Sequence, residues 1–129
     1  MEVSIDVADA LRLWLNGRGH SACARPLPPD LEGRLPLTRV TKLSGNRSNV
    51  VVDAHRVQLE TWATTQAEAM AEAILVEAAL HELPGTWLGG VPCYAVSVYA
   101  APHDSHDPDH PDLCVAETFA EVVTRAVHT

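Results

Sequence analysis

Apolar residues recur along this chain at two spacings, and the spacings separate helix from strand. In residues 6–16, Val7, Leu11, Trp14 and Leu15 share one face of a short helix. Asp6 suits its N-cap, and Gly17 the left-handed position that ends it. From Gly17 to Gly33 the periodicity is lost. Gly17, Gly19, Pro26, Pro28, Pro29 and Gly33 exclude a long regular element. This stretch reads as an extended arm, or as an arm holding a short edge strand over residues 21–25.

Residues 35–43 are strand-like, because Thr38, Val40 and Thr41 favour a pleated backbone. Pro36 lies at the start, where a missing N–H is tolerated. Ser44-Gly45-Asn46-Arg47-Ser48-Asn49 reads as a turn-rich loop. Val50, Val51 and Val52 restart extended structure, and Asp53-Ala54-His55 interrupts it as a bulge or bend. Residues 56–63 then alternate. Val57, Leu59 and Thr61 take one face, and Gln58, Glu60 and Trp62 the other, as in a sheet with one face on a core.

The second helix has the strongest pattern. Thr65 and Glu68 have capping-box spacing. Ala69, Ala73, Val76, Leu80 and Leu83 follow in one apolar stripe, and its alanines allow close approach to a sheet. Glu68, Glu72 and Glu82 form a solvated side. Met70 and Ile74 lie off the stripe, in position to pack against the arm or another subunit. Pro84-Gly85 stops the helix. Residues 91–101 form a third strand and residues 102–112 a loop. Residues 113–127 carry both signals: Val115, Phe119, Val122 and Ala126 at helical spacing, and a run of β-branched residues.

The expected fold class is therefore α+β: a small, mostly antiparallel sheet packed against one main amphipathic helix, plus a short N-terminal helix. With 129 residues the chain suits a single domain, 1–129, with residues 1–34 as N-terminal helix and arm and 35–128 as core. A hydrophobic content of 47% supports a buried core. Nine Lys+Arg against seventeen Asp+Glu give a net charge of −8. That opposes binding to DNA or an anionic membrane, which needs a basic face. No apolar run reaches the roughly 20 residues that span a bilayer, and the first residues lack the basic and apolar parts of a signal peptide. Cys23, Cys93 and Cys114 lack metal-ligand spacing and read as small buried thiols.

The conspicuous chemical cluster is His103-Asp104-Ser105-His106-Asp107-Pro108-Asp109-His110-Pro111-Asp112. His103, His106 and His110 are ligand types for Zn²⁺. A loop broken by two prolines gives such ligands little rigid support, so the residues read as a solvated acidic loop and only weakly as a metal site. Asp104-Ser105-His106 has triad residue types but not triad geometry, which joins residues across space. No nucleophile elbow, phosphate-binding Gly-rich loop or His-Glu-x-x-His motif is present. The sequence thus predicts no catalytic residue, no cofactor and no enzyme. Asn46 and Arg47, in the 44–49 loop, are candidate partner contacts with Met70 and Ile74. Trp62 and Trp87 read as packed residues, and either one, if exposed, becomes an interface anchor.

Four stretches together resemble the tail terminator, or tail completion, proteins of long-tailed bacteriophages. They are Leu35-Pro36-Leu37-Thr38-Arg39-Val40-Thr41-Lys42-Leu43 before a Gly-containing turn; Val57-Gln58-Leu59-Glu60-Thr61-Trp62-Ala63 leading into the Ala/Glu-rich helix; Leu83-Pro84-Gly85-Thr86 with Gly90-Val91-Pro92; and Asp107-Pro108-Asp109 before a last extended segment. The resemblance covers residues 26–128 and lies in order and spacing. Ser44-Gly45-Asn46 departs from the double Gly frequent in that turn, and residues 116–121 are more helix-prone than the family's last strand.

By analogy, residues 113–127 form a strand. The resemblance implies a virion structural protein whose ring, typically a hexamer, caps the head-proximal end of the tail tube. It implies three partners: further copies of the chain, the tail tube protein and the head–tail connector protein. No membrane and no sequence-specific nucleic acid is implied. The location would be the head–tail junction of the virion, and the host cytoplasm during assembly. The rival expectations are a head-closure or connector subunit, a small metal-dependent enzyme using residues 103–112, and a dimeric antitoxin-like or adaptor domain.

Overall fold

The computed structural model describes residues 2, 3, 5–24, 26–49 and 51–128, with the backbone alone for residues 2, 3, 44–49, 127 and 128. The elements run β1 (Glu2–Val3), α1 (Val7–Gly17), β2 (Ala22–Cys23), a 3-10 turn (Leu31–Arg34), β3 (Leu37–Asn49), β4 (Val52–Ala63), α2 (Gln66–Leu80), β5 (Trp87–Leu88), β6 (Val91–Ser105), β7 (Cys114–Arg125) and β8 (Val127–His128). Strands β2-β3-β4-β7-β6-β5 form one six-stranded sheet in that order, and β1 pairs with β8 separately. The β2–β3 pair is parallel and the other pairs are antiparallel.

This architecture corrects the expected small sheet on one main helix. The chain is mostly strand, and its mixed sheet curls into a half-barrel carrying two helices. Three local readings account for the difference. Residues 44–49 are the end of β3 and not a loop, and the turn follows at Val51. Their partners are supplied by residues 52–56, so the ladder satisfies backbone groups that Ser, Gly and Asn would otherwise satisfy in a turn. Asp53-Ala54-His55 does not interrupt β4, which pairs with β7 without a break from Val52 to Ala63. Residues 102–105 continue β6 through register shifts, so the loop shortens to residues 106–113.

Of residues 113–127, which the resemblance implied to be a strand, Cys114–Arg125 form β7 and Val127 starts β8. Helical spacing lost there because alternation along β7 matches β4. Ala116, Thr118, Ala120, Val122 and Thr124 face the helices opposite Thr61, Leu59, Val57, His55 and Asp53. The expected alternation of 56–63 also holds. Trp62 is buried on the opposite face, where Leu31, Leu37 and Val115 enclose it.

The helices start as their caps require. Asp6 Oδ1 accepts the Asp9 N–H at 3.2 Å, and Thr65 Oγ1 accepts the Glu68 N–H at 3.1 Å. The Glu68 carboxylate accepts from Thr64 Oγ1 and so does not close the capping box in its usual form. Gly17 remains helical. Arg18 is the C-cap, and Gly19, at φ 88°, takes the left-handed position. The predicted stripe is buried at Ala69, Ala73, Val76, Leu80 and Leu83, although α2 itself ends at Leu80.

The first helix is part of the core, not an accessory to it. Val7, Leu11 and Leu15 are fully buried and pack with Val40, Val57, Leu59, Val76, Leu80 and Leu83. We therefore expect Leu11→Ala to destabilise the chain by about 2–5 kcal/mol, as a buried truncation in a packed core does. Urea denaturation measures it, and a loss under about 1 kcal/mol contradicts this role for α1.

Candidate protein-interaction surface

The His/Asp cluster is divided between a strand end and a short anchored loop. His103 lies in β6. Its ring stacks on Phe119 with centroids 6.0 Å apart, and its Nε2 stands 3.4 Å from Glu117. His106 is exposed, and His110 turns toward the 3-10 segment. These histidines point to separate neighbours. Among the described residues no group of three His, Cys, Asp or Glu side chains is placed to hold a metal ion.

Asp107 is the anchor of the loop. Its carboxylate accepts from Trp62 Nε1 at 3.1 Å, from His110 Nδ1 at 2.7 Å and from the Asp109 N–H at 2.9 Å. Partial burial pushes the Asp107 pKa up, but the hydrogen bonds from His110, Asp109 and Trp62 outweigh this and leave it below its ordinary value of 3.8. The loop expected to be merely solvated is thus tied to the buried Trp62 of β4. The sequence signal was the Asp-x-Asp-His spacing, since an Asx-type turn accepts the N–H two residues on.

The sheet face away from the helices is a polar ladder. Arg39 pairs with Glu60 at 2.8 Å, Gln58 Nε2 donates to Glu117 at 3.2 Å, and Arg56 approaches Glu121 at 3.5 Å. Glu60 and Glu117 are directly opposite across β4 and β7, a repulsive pair offset by Arg39 on one side and Gln58 on the other. Tyr99 and Phe119 stack within this face, under the Arg56 guanidinium. The predicted solvated side of α2 is also engaged: Glu72 meets His20 at 3.1 Å, and Glu82 pairs with Arg18.

Inside the sheet, His55 is almost fully buried and its Nε2 lies 3.0 Å from Thr124 Oγ1. Burial, and then the charge of Lys42, lower its pKa against the opposing pull of Asp53. Burial raises the pKa of the Cys23 and Cys93 thiols. All three cysteines are free.

The solvent side of α2 differs from an ordinary surface helix. Ala67, Ala71, Ile74, Leu75 and Ala78 are exposed, so the helix carries a second apolar stripe opposite the buried one. Ile74 is 51% and Leu75 57% exposed. A helix with apolar stripes on two opposite sides has a face to be covered on each of them. Met70 packs beside Ala69, Ala73 and Ala116 and is only partly accessible. Of the predicted contacts on α2, Ile74 is therefore displayed and Met70 is largely used internally. Asn46 and Arg47 lie on β3, opposite Ala54 and Asp53, and their side chains are outside the described residues. Trp87 is 68% exposed, whereas Trp62 is buried.

Three open surface grooves are formed by described residues. One is lined by residues 27–33 with His110, one by Arg18, His20, Leu75, Ala78, Ala79 and Glu82, and one by Arg56, Ser97, Tyr99 and Glu121. No helix among the described residues is long and apolar enough to cross a membrane. No protein-family model matches the chain, and no curated protein matches it.

The anchor gives a direct prediction. Asp107→Ala leaves the buried Trp62 N–H without its acceptor and should cost about 1–3 kcal/mol at neutral pH. A carboxylate whose folded pKa is depressed stabilises above its unfolded pKa, and that contribution fades as pH falls through the folded value. The gap between parent and variant should therefore close below pH 3.8. Denaturant midpoints across pH 2–7 measure it, and a gap that is constant in acid contradicts the anchor.

Proposed function

We propose that the chain is a virion structural subunit without catalytic activity. In this reading a ring of copies caps the head-proximal end of a phage tail tube, stops further addition of tube protein and presents a surface for the head connector. The observation that carries it is the uncovered apolar stripe of α2, at Ala67, Ala71, Ile74, Leu75 and Ala78. A contiguous exposed apolar stripe on a small domain fits a protein partner. The resemblance of residues 26–128 to tail terminator proteins supplies the particular assembly.

The arrangement suits capping. The fold offers a rigid curled sheet, and the apolar helix face lies on an element already fixed by its buried stripe. Docking that face removes apolar area from water and orders little new chain, so the entropy cost stays small. The tube end, the neighbouring copies and the connector are all proteins, which an acidic chain can contact without a basic surface.

The test mixes the purified chain with polymerising tail tube protein of the same phage and measures tube lengths by negative-stain microscopy. Capping predicts shortened tubes with added density at one end. Ile74→Glu with Leu75→Glu should leave the fold intact, since exposed substitutions usually change stability by less than about 0.5 kcal/mol each, and should abolish the effect. Tubes of unrestricted length with bare ends in the presence of the parent chain contradict the proposal. In the phage, loss of the gene should give overlong tails or unjoined heads. Normal tails with leaking heads would instead identify a head-closure subunit.

A further inference from the structure

The six-stranded sheet ends in two long edges. β2 covers β3 only at Thr38 and Arg39, and β5 covers β6 only at Val91 and Pro92. The Cys93 N–H and carbonyl are also taken, by Thr86 and Gly85. Among the described residues no strand pairs with the outer side of β3 from Val40 onward or of β6 from Tyr94 onward. Open edges of this length invite another strand.

The usable parts of the two edges match. β3 shifts register between Lys42 and Ser44 and between Arg47 and Asn49, which leaves Ser44 to Arg47 regular. β6 shifts between Cys93 and Ala95 and again after Val98, which leaves Ala95 to Val98 regular. The ladder sets three residues of each stretch at one height. Ser44 pairs with Arg56, Arg56 with Glu121 and Glu121 with Ser97. Gly45 leads through His55 and Val122 to Val96, and Asn46 through Ala54 and Val123 to Ala95.

Direction and charge agree as well. β3 is antiparallel to β4, β4 to β7 and β7 to β6, so β3 and β6 run in opposite senses. Copies related by rotation about an axis along the strands would therefore bring β6 of one beside β3 of the next as an antiparallel pair. By sequence the uncovered part of β3 holds Lys42 and Arg47 with no carboxylate, whereas β6 holds Asp104 with no Lys or Arg and leads to Asp109 and Asp112.

We propose that a second copy of this chain occupies each edge: β3 of one copy adds to β6 of the next, with Ser44 facing Ser97, Gly45 facing Val96 and Asn46 facing Ala95. Main-chain hydrogen bonds supply the attraction, and the bulges on either side fix the register. The two edges differ, so the contact is heterologous and generates a ring if its rotation closes. The proposal deepens the capping reading and rests on it for the biological role.

The test is a pair of cysteines. Cys23, Cys93 and Cys114 are first replaced by Ser, Ala and Ser, and Ser44→Cys and Ser97→Cys are then added together or singly. Facing residues of an antiparallel pair lie about 4.5–5.5 Å apart at Cα, within disulfide reach. Mild oxidation of the double variant should give a ladder of covalent multiples ending in a closed species. Mixed single variants should give dimers only, and each single variant alone should stay monomeric. A double variant without a ladder, or a Ser97→Cys variant that dimerises alone through a twofold β6 contact, overturns the proposal. If the parent caps tubes while the double variant forms no ladder, the interface falls and the capping reading stands. A ladder from a chain that never caps tubes gives the reverse.

Discussion

The pairing of β4 with β7 is the constraint on which the rest of the structure depends. It runs without a register shift from Val52–Arg125 to Ala63–Cys114 and joins two hairpins that are distant in sequence. Its inner rows present Val57, Leu59, Ala120 and Val122 to both helices. A slip of one residue would send this apolar set to the opposite face and bring Glu60, Glu117 and Glu121 into the core. The small residues in β7, Ala116 and Ala120, let α2 lie close, and the alanines of α2 do the same from the other side. Among the described strands, the register shifts fall in the outer strands β3 and β6.

Much of this was legible in the sequence where a periodic pattern coincided with its own end signals. Both helices, their N-caps at Asp6 and Thr65 and the alternation of 56–63 followed from local chemistry, whereas the left-handed residue after α1 is Gly19 in place of Gly17. The extent of the sheet did not. Ser44 to Asn49 have turn composition, yet they extend β3 because a complementary strand lies alongside, and no single-chain window contains that partner. The alternation in 114–125 competes with a helical spacing of the same residues, and only pairing with β4 decides between them. The fold class shifted for the same reason: long-range pairing turned predicted loops into strand, and α1 entered the core with α2.

The candidate surfaces divide in the same way. That Ile74 is displayed could be read from its position off the buried stripe of α2. Its neighbours Ala67, Ala71 and Ala78 looked unremarkable, because alanine fits both a buried and an exposed helix position. Clustered histidines in sequence drew attention to metal chemistry, but the bulged end of β6 and the turn at Asp107 send them to different partners. The proposed function rests on features left uncovered among the described residues: an apolar helix face and two strand edges of opposite sense. Each is a surface suited to another polypeptide.

Hydrogen–deuterium exchange of the chain alone and in complex with tail tubes reaches the central claim most directly. Outward-facing amides of the edge strands exchange readily in a free subunit because water is their only partner. The account predicts that assembly slows exchange in residues 44–46 and 95–97 together, while the β4–β7 amides, already protected, stay unchanged. Tube binding that leaves both edge segments exchanging at their free rates, or no binding at all, would contradict it.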